Sequence, residues 1–216
     1  MAVKIPLRTH LITDKDDIVE VVTQYAARIA MPGDLIAVAE TVVAISQGRF
    51  VRQEDVKSGC LAHFLCRFPG RHGSLTSPAT MQLAINEVGY GRILLAAAAG
   101  ATGRLLKKNG FFYRVAGLSV ALIDDVAGTM PPYHKFIVLG PKNPHQVAQS
   151  IADRLGVDAV IIDANDLGFA DVVGASQGVP QRSVCRMFAD NPAGNYEQQT
   201  PLTVIKDYRQ QLRGWV

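Results

Sequence analysis

An unbroken apolar run, Leu35-Ile36-Ala37-Val38-Ala39, is opened by Pro32-Gly33-Asp34 and passes through Glu40-Thr41 into Val42-Val43-Ala44-Ile45 before it stops at Gly48-Arg49. The turn formers in front of the run predict a buried strand from Asp34 to Ala39, and a buried strand commits the fold to a sheet. Gly48 can supply an unusual φ beside the cation of Arg49, so the segment ends where a backbone could approach a phosphate. A strand ending in a turn with a solvated arginine accounts for the same residues.

Period-two alternation at Val3, Ile5, Leu7, Thr9 and Leu11 predicts a first strand, followed by a helix capped by Thr13 or Asp14 with Ile18, Val21, Val22, Tyr25 and Ile29 on its apolar face. Residues 50–75 are polar and irregular in pattern. A second helix is expected near Ser77-Pro78, with a hydroxyl at its cap and proline in its first turn, carrying Met81, Ile85 and Val88 inward. Gly89 and Gly91 weaken it before an apolar run resumes at Ile93 to Ala99. Further strands are expected near Phe111 to Val115, Val120 to Ile123, Phe136 to Leu139, Ala159 to Asp163 and Thr203 to Ile205, with a helix from Pro144 to Leu155. No repeat, low-complexity tract or linker interrupts the chain. The fold class expected is α+β or mixed α/β.

A chain of 216 residues, 48% of them apolar, is long enough to bury a sizeable core as one large domain or two small intertwined ones. The net charge of +3 and pI near 8.8 come from scattered basic residues and do not argue for nucleic acid, while small anionic ligands remain compatible. No apolar run has the length of a membrane span, and the N-terminus reads at once as a strand rather than a signal sequence, so the expected compartment is the cytoplasm. The three cysteines, Cys60, Cys66 and Cys185, fit neither a zinc site nor a disulfide framework and are expected as buried, reduced thiols.

Two carboxylate clusters are the candidates for chemistry. Asp163 closes the strand Val157-Asp158-Ala159-Val160-Ile161-Ile162, with Asn165 and Asp166 following, which places oxygen ligands at the carboxyl end of a buried strand, where ligands bind in open α/β sheets. Magnesium takes one or two carboxylates together with phosphate and water, so Asp163 and Asp166 suit it; a turn or cap made by the same side chains is the structural alternative. Asp124-Asp125 ends the expected strand Val120 to Ile123, and alternation allows only one of the pair to face a given site readily. The tract from Ala96 to Arg104 invites a phosphate-loop reading but lacks Gly-Lys-Ser/Thr; a close-packed helix face ending in a glycine turn explains it. Arg67-Phe68-Pro69-Gly70-Arg71-His72 is a further group of anion binders or a solvated loop, and His10 and His134 are the histidines available as a base. The turn-rich segment Asp190 to Gln198 is either a substrate loop or a plain hairpin connection.

Several stretches together resemble the γ-glutamyl ligases of the deazaflavin coenzyme F-420: Ile5-Pro6-Leu7-Arg8-Thr9, the Gly33 to Arg49 segment, Asn109-Gly110-Phe111-Phe112-Tyr113-Arg114-Val115-Ala116-Gly117, and Leu139-Gly140-Pro141-Lys142-Asn143-Pro144 running on to Asp163. The match covers roughly residues 3 to 170 in the correct order. The resemblance implies an intertwined ligase fold with sheets and flanking helices, a homodimer, GTP (or ATP) as co-substrate, Mg or Mn, and an acyl phosphate on the way to an amide. Under it Arg8, Glu40, Gly48, Arg49, Arg114 and Asn165 are expected at nucleotide and substrate, and Asp124, Asp125, Asp163 and Asp166 at the metal. Departures fall on polar positions. Thr41 and Ile45 stand where the family places lysines, Leu118-Ser119 where it reads Val-Asp, and Asp163-Ala164-Asn165-Asp166-Leu167-Gly168-Phe169 lacks the family's Arg and Trp.

The residues therefore lead to three readings: a metal- and nucleotide-dependent carboxylate-amine ligase acting on a small molecule, a binding protein that kept the scaffold after losing cations at Thr41 and Ile45, or a structural subunit that recruits a partner protein.

Overall fold

A computed structural model describes residues 3–69, 74–108, 110–125, 132–164, 168–192, 194 and 199–212. In chain order the elements begin with β1 (Lys4–Leu7), α1 (Ile18–Ala26), β2 (Leu35–Ala39), α2 (Glu40–Ser46), β3 (Phe50–Arg52), α3 (Cys60–Leu65), α4 (Pro78–Val88), α5 (Tyr90–Leu105), α6 (Phe111–Ala116) and α7 (Leu118–Ala121). They continue through β4 (Phe136–Val138), α8 (Pro144–Leu155), β5 (Asp158–Ala164), β6 (Ala170–Ala175), α9 (Gln181–Met187), β7 (Leu202–Ile205) and α10 (Tyr208–Leu212). This is a mixed α/β chain, and it divides into two compact units, Met1–Gly48 with Pro141–Val216, and Arg49–Gly140. No described helix is long and apolar enough to cross a membrane.

The first unit is built on a five-stranded sheet in the order β1-β7-β2-β5-β6. Among the described residues only β2 and β5 pair in parallel, Leu35 to Ala39 against Asp158 to Ile162; β7 runs antiparallel to β1 and β2, and β6 antiparallel to β5. One face of the sheet, carrying Leu35, Ala37, Val160, Ile162 and Ile205, packs on Val184 and Met187 of α9, on Phe188 directly after it and on Tyr208 of α10. α8 packs on β5 and β6, with α1 against it. The close approach of α8 depends on Gly174 in β6, where a Cβ would lie 2.4 Å from the Pro144 carbonyl carbon. Asp17, rather than Thr13 or Asp14, caps α1 by accepting from the amides of Val19 and Glu20. Thr13 is taken up by a turn in which its amide and hydroxyl donate to Asp16, and those two bonds lead in holding the Asp16 carboxyl below its ordinary range. At the amino end of β2, Asp34 accepts from Met31 N at 2.8 Å, Asp207 N at 2.9 Å and Lys206 Nζ at 2.5 Å, tying β2 to the exit of β7.

The second unit pairs β3 with β4 in a short antiparallel ladder, and Asp124 adds a single bridge to Val138. Among the described residues, helices α3 to α7 surround a separate apolar core that includes Leu75, Met81, Ile85, Ile93, Val120, Ile123 and Ile137. Ser77 caps α4 as expected, with its hydroxyl accepting from Thr80 N at 3.1 Å. Two expected strands are helices instead. The aromatic run at Phe111 favours a strand by composition, yet Gly110 (φ 87°) and Gly117 (φ 99°) reset the chain direction on either side of α6, and α7 follows at once. Apolar residues 111, 112, 115 and 116 fall on one helical stripe that closes on α5 and the core, so tertiary packing overrides strand propensity. The polar stretch from Phe50 to Leu75 conceals β3 and α3.

Candidate functional site

Strand direction decides what gathers at one edge of the first unit's sheet. β1 and β2 both run antiparallel to β7, and β2 runs parallel to β5, so the carboxyl ends of β1, β2 and β5 share an edge. Past Leu7 comes Arg8, exposed, and then Thr9, whose amide donates to Gln199 O at 3.0 Å. Past Ala39 comes Glu40, the first residue of α2, only 4% exposed and receiving the Thr41 hydroxyl at 3.3 Å. Ala39 is opposite Ile162 in the ladder, and Asp163 is the next residue. The geometry thus brings Arg8, Glu40 and Asp163, three residues singled out from sequence, to a single strand-end edge.

Asp163 also meets a residue that the sequence reading passed over. Asp171 is its cross-strand partner, and like charges directly opposite oppose each other. Desolvation first, and the Asp171 charge second, push the Asp163 carboxyl above its ordinary range, although its outer surface is exposed. The signal available in the sequence was the acid at the head of the short apolar run Val172-Val173-Gly174-Ala175, soon after Gly168. Among the described residues, no group of three or more His, Cys, Asp or Glu side chains is placed to hold a metal ion. Asn165 and Asp166 lie outside the described residues.

Gly48 ends the first stretch of the first unit in a left-handed conformation, φ 66°, the unusual φ expected of it. Arg49 begins the second unit, and its environment overturns the solvated-turn reading. Only 9% exposed, it donates from Nη2 to Glu87 at 2.9 Å and from Nε to Gly140 O at 2.5 Å. Arg114 is exposed on α6, 5.7 Å from the Phe111 ring centroid. Asp124 and Asp125 follow α7 instead of ending a strand, so the alternation argument for them lapses; Asp124 is placed by the backbone bonds of its bridge to Val138. Within the second unit this brings Arg49 and Asp124 to the same short ladder, since Leu139 N donates to Arg49 O and Asp124 N to Val138 O.

The remaining candidates are placed as follows. His10 is engaged with the Tyr25 hydroxyl at 3.0 Å and with Asp16 at 3.3 Å; His134 is exposed in a single 3-10 turn. Arg67 is exposed after α3, and Arg71 and His72 lie outside the described residues. Of the turn-rich segment, Ala193 and residues 195–198 lie outside them as well. All three cysteines are free thiols; Cys66 is buried, Cys185 half-buried, and Cys60 is exposed, contrary to the buried state expected.

The family model described as F420-0:Gamma-glutamyl ligase matches residues 6–166. It takes in the last two residues of β1, all of β2, the whole second unit and all of β5, and ends before β6. No curated protein matches the chain.

Proposed function

The chain belongs to the coenzyme F-420 γ-glutamyl ligase family, and from that premise we propose that it joins an amine to a nucleotide-activated carboxylate at the carboxyl edge of the first unit's sheet. The observation that carries this reading is the meeting of Arg8, Glu40 and Asp163 on three strand ends that share one edge. A family match supports ligase-like chemistry; the strand-end position is where α/β sheets take ligands.

In this reading the γ-phosphoryl group of GTP or ATP passes to a carboxylate oxygen of the substrate, releasing the nucleoside diphosphate. The amine nitrogen of the second substrate then attacks the acyl carbon, phosphate departs, and an amide remains. Arg8 stands where a cation can neutralise phosphate charge, the dominant need in such transfers. Glu40 offers a carboxylate to the N–H groups of the incoming amine. Asp163 and Asp171 supply two hard oxygen donors on one face, a set that fits magnesium or manganese held jointly with phosphate oxygens. Such a cation supplies charge neutralisation for the phosphates, and it would relieve the mutual repulsion of the two acids. Asp166 and Asn165, directly after β5, belong to the same proposal. Apart from that edge, Gly48 and, within the second unit, Arg49, Arg114, Asp124 and Asp125 are proposed as further nucleotide, substrate and metal residues on the strength of the family match, as are the family's intertwined fold and homodimer.

Calorimetric titration with GTP and ATP, with and without magnesium, tests the reading. Saturable, magnesium-dependent binding that is lost in Asp163→Asn and weakened in Arg8→Ala is expected; nucleotide binding that ignores both substitutions and the metal would defeat it. A second reading, a nucleotide- or metabolite-binding protein without turnover, is favoured by one observation. Where the family places lysines, Ile45 is buried and Thr41 donates to Glu40, so neither position offers a cation. Absence of phosphate release with intact nucleotide binding selects that reading.

A further inference from the structure

The Ala-rich tract that failed as a phosphate loop has a different role. Contrary to the expected glycine turn, α5 continues through Gly103 to Leu105, and Ala97, Gly100, Ala101 and Arg104, at helical spacing, form one face of it. That face lines a cleft of about 450 Å³ within the second unit. Because nothing larger than a methyl group projects from its first three positions, the wall along α5 is low and flat. Phe64 and Phe68 of the α3 region, edge to face at 5.1 Å, stand on the lining together with Phe111 and Phe112 of α6. Phe64 is 56% exposed and Phe68 47%, a large aromatic surface left open to solvent.

Arg104 and Lys108 are the only charged side chains on the described lining, and both are cations. Neither forms an ion pair among the described residues. A volume in the range of ordinary ligand pockets, an apolar and aromatic lining, and charge of one sign define the complement: a small molecule with an apolar body and an anionic head. A neutral apolar ligand would leave the two cations without a counter-charge, and a cationic one would be repelled.

We propose that this cleft is a binding site for a small amphiphilic anion, with the apolar body on the low face of α5 between the phenylalanines and a carboxylate or phosphate head at Arg104 and Lys108. The described lining lies wholly in the second unit and shares no residue with the proposed ligase site, so binding of an amphiphilic anion here and binding of nucleotide there are tested separately.

Dodecanoate, dodecyl phosphate and dodecanol, each kept below the concentration at which it aggregates, would be titrated into the full chain by calorimetry. One anion per chain is expected to bind with a Kd on the order of 10–100 µM, and dodecanol about tenfold or more weaker. Whichever anion binds better identifies the head as carboxylate or phosphate. The double variant Arg104→Glu with Lys108→Glu, confined to exposed side chains, should weaken the anion at least about tenfold, and Ala101→Trp, which fills the cleft from an exposed helix position, should abolish binding. Both variants should keep the circular dichroism spectrum and melting temperature of the parent. No saturable binding, equal affinity for dodecanol, or affinity unmoved by either folded variant would overturn the assignment.

Discussion

Replacing Asp34 by alanine removes the carboxylate that fastens β2 to the end of β7. Asp34 is 1% exposed and accepts from two backbone amides and from Lys206 Nζ, at 2.5 to 2.9 Å. Breaking a buried ion pair by deleting one partner costs about 3–5 kcal/mol. Here Lys206 is 25% exposed and also donates to Ile29 O, so the stranded ammonium recovers part of its solvation. The two orphaned amides do not recover in the same way, and a loss of about 3 kcal/mol is expected. The pH dependence supplies an independent sign. Burial, the largest single influence, pushes the Asp34 carboxyl up, but the bonds from Lys206, Asp207 and Met31 together hold it below its ordinary value. A depressed folded-state value means the contribution is complete above the unfolded pKa, about 3.9, and disappears as pH falls through the folded one. Urea unfolding followed by circular dichroism at pH 7 and at intervals down to about pH 2.5 should show the gap between parent and Asp34→Ala closing only below about pH 4. A gap under about 1 kcal/mol at pH 7, or one that stays constant to the acid limit, would refute the account of this anchor.

Gly174→Ala places a methyl group 2.4 Å from the Pro144 carbonyl carbon and 2.5 Å from its oxygen. Backbone atoms cannot swing aside, so a loss of about 3 kcal/mol is expected by denaturant titration, and a change under about 1 kcal/mol would show that α8 slides freely. Asp163 carries the opposite sign from Asp34: its carboxyl is raised, so stability is fullest below the unfolded pKa and declines as pH rises through the folded value. Asp163→Asn should therefore raise stability at pH 7 by about 0.5 kcal/mol without added metal and flatten the pH profile, read by thermal melts from pH 3 to 8; a lower melting temperature contradicts this. Glu87→Gln leaves the Arg49 guanidinium, 9% exposed, with a neutral acceptor and should cost about 1–2 kcal/mol in urea unfolding, with added salt failing to restore it.

Periodicity carried most of the first unit. The β2 run, the Pro144 to Leu155 helix and the strand ending at Asp163 were legible because each has one uninterrupted pattern bounded by turn formers, and the observed α8 has those same limits. Order within the sheet was not legible. β7 lies between β1 and β2 although some 160 residues separate it from β2, and no local pattern encodes that pairing. The edge that gathers Arg8, Glu40 and Asp163 is a product of that order, and Asp171 was missed because its importance lies in being opposite Asp163. In the second unit the failures have a local cause. Phe111-Phe112-Tyr113 has strand composition, and only the positive-φ glycines at 110 and 117 reveal a short helix. Arg49 was legible as a cation beside a turn, but its partner Glu87 is 38 positions away.

The second unit enters at Arg49 and leaves at Gly140, and these two residues grip each other: Arg49 Nε donates to Gly140 O, and Leu139 N donates to Arg49 O. A segment whose entrance and exit are clasped side by side behaves as a detachable cassette. One short bridge between Gly48 and Pro141 suffices to excise it on paper, and the cassette carries its own clasp, core and ladder with it. Change within such an insert can proceed without re-registering the strands of the host, so the two halves of this chain are free to diversify at different rates.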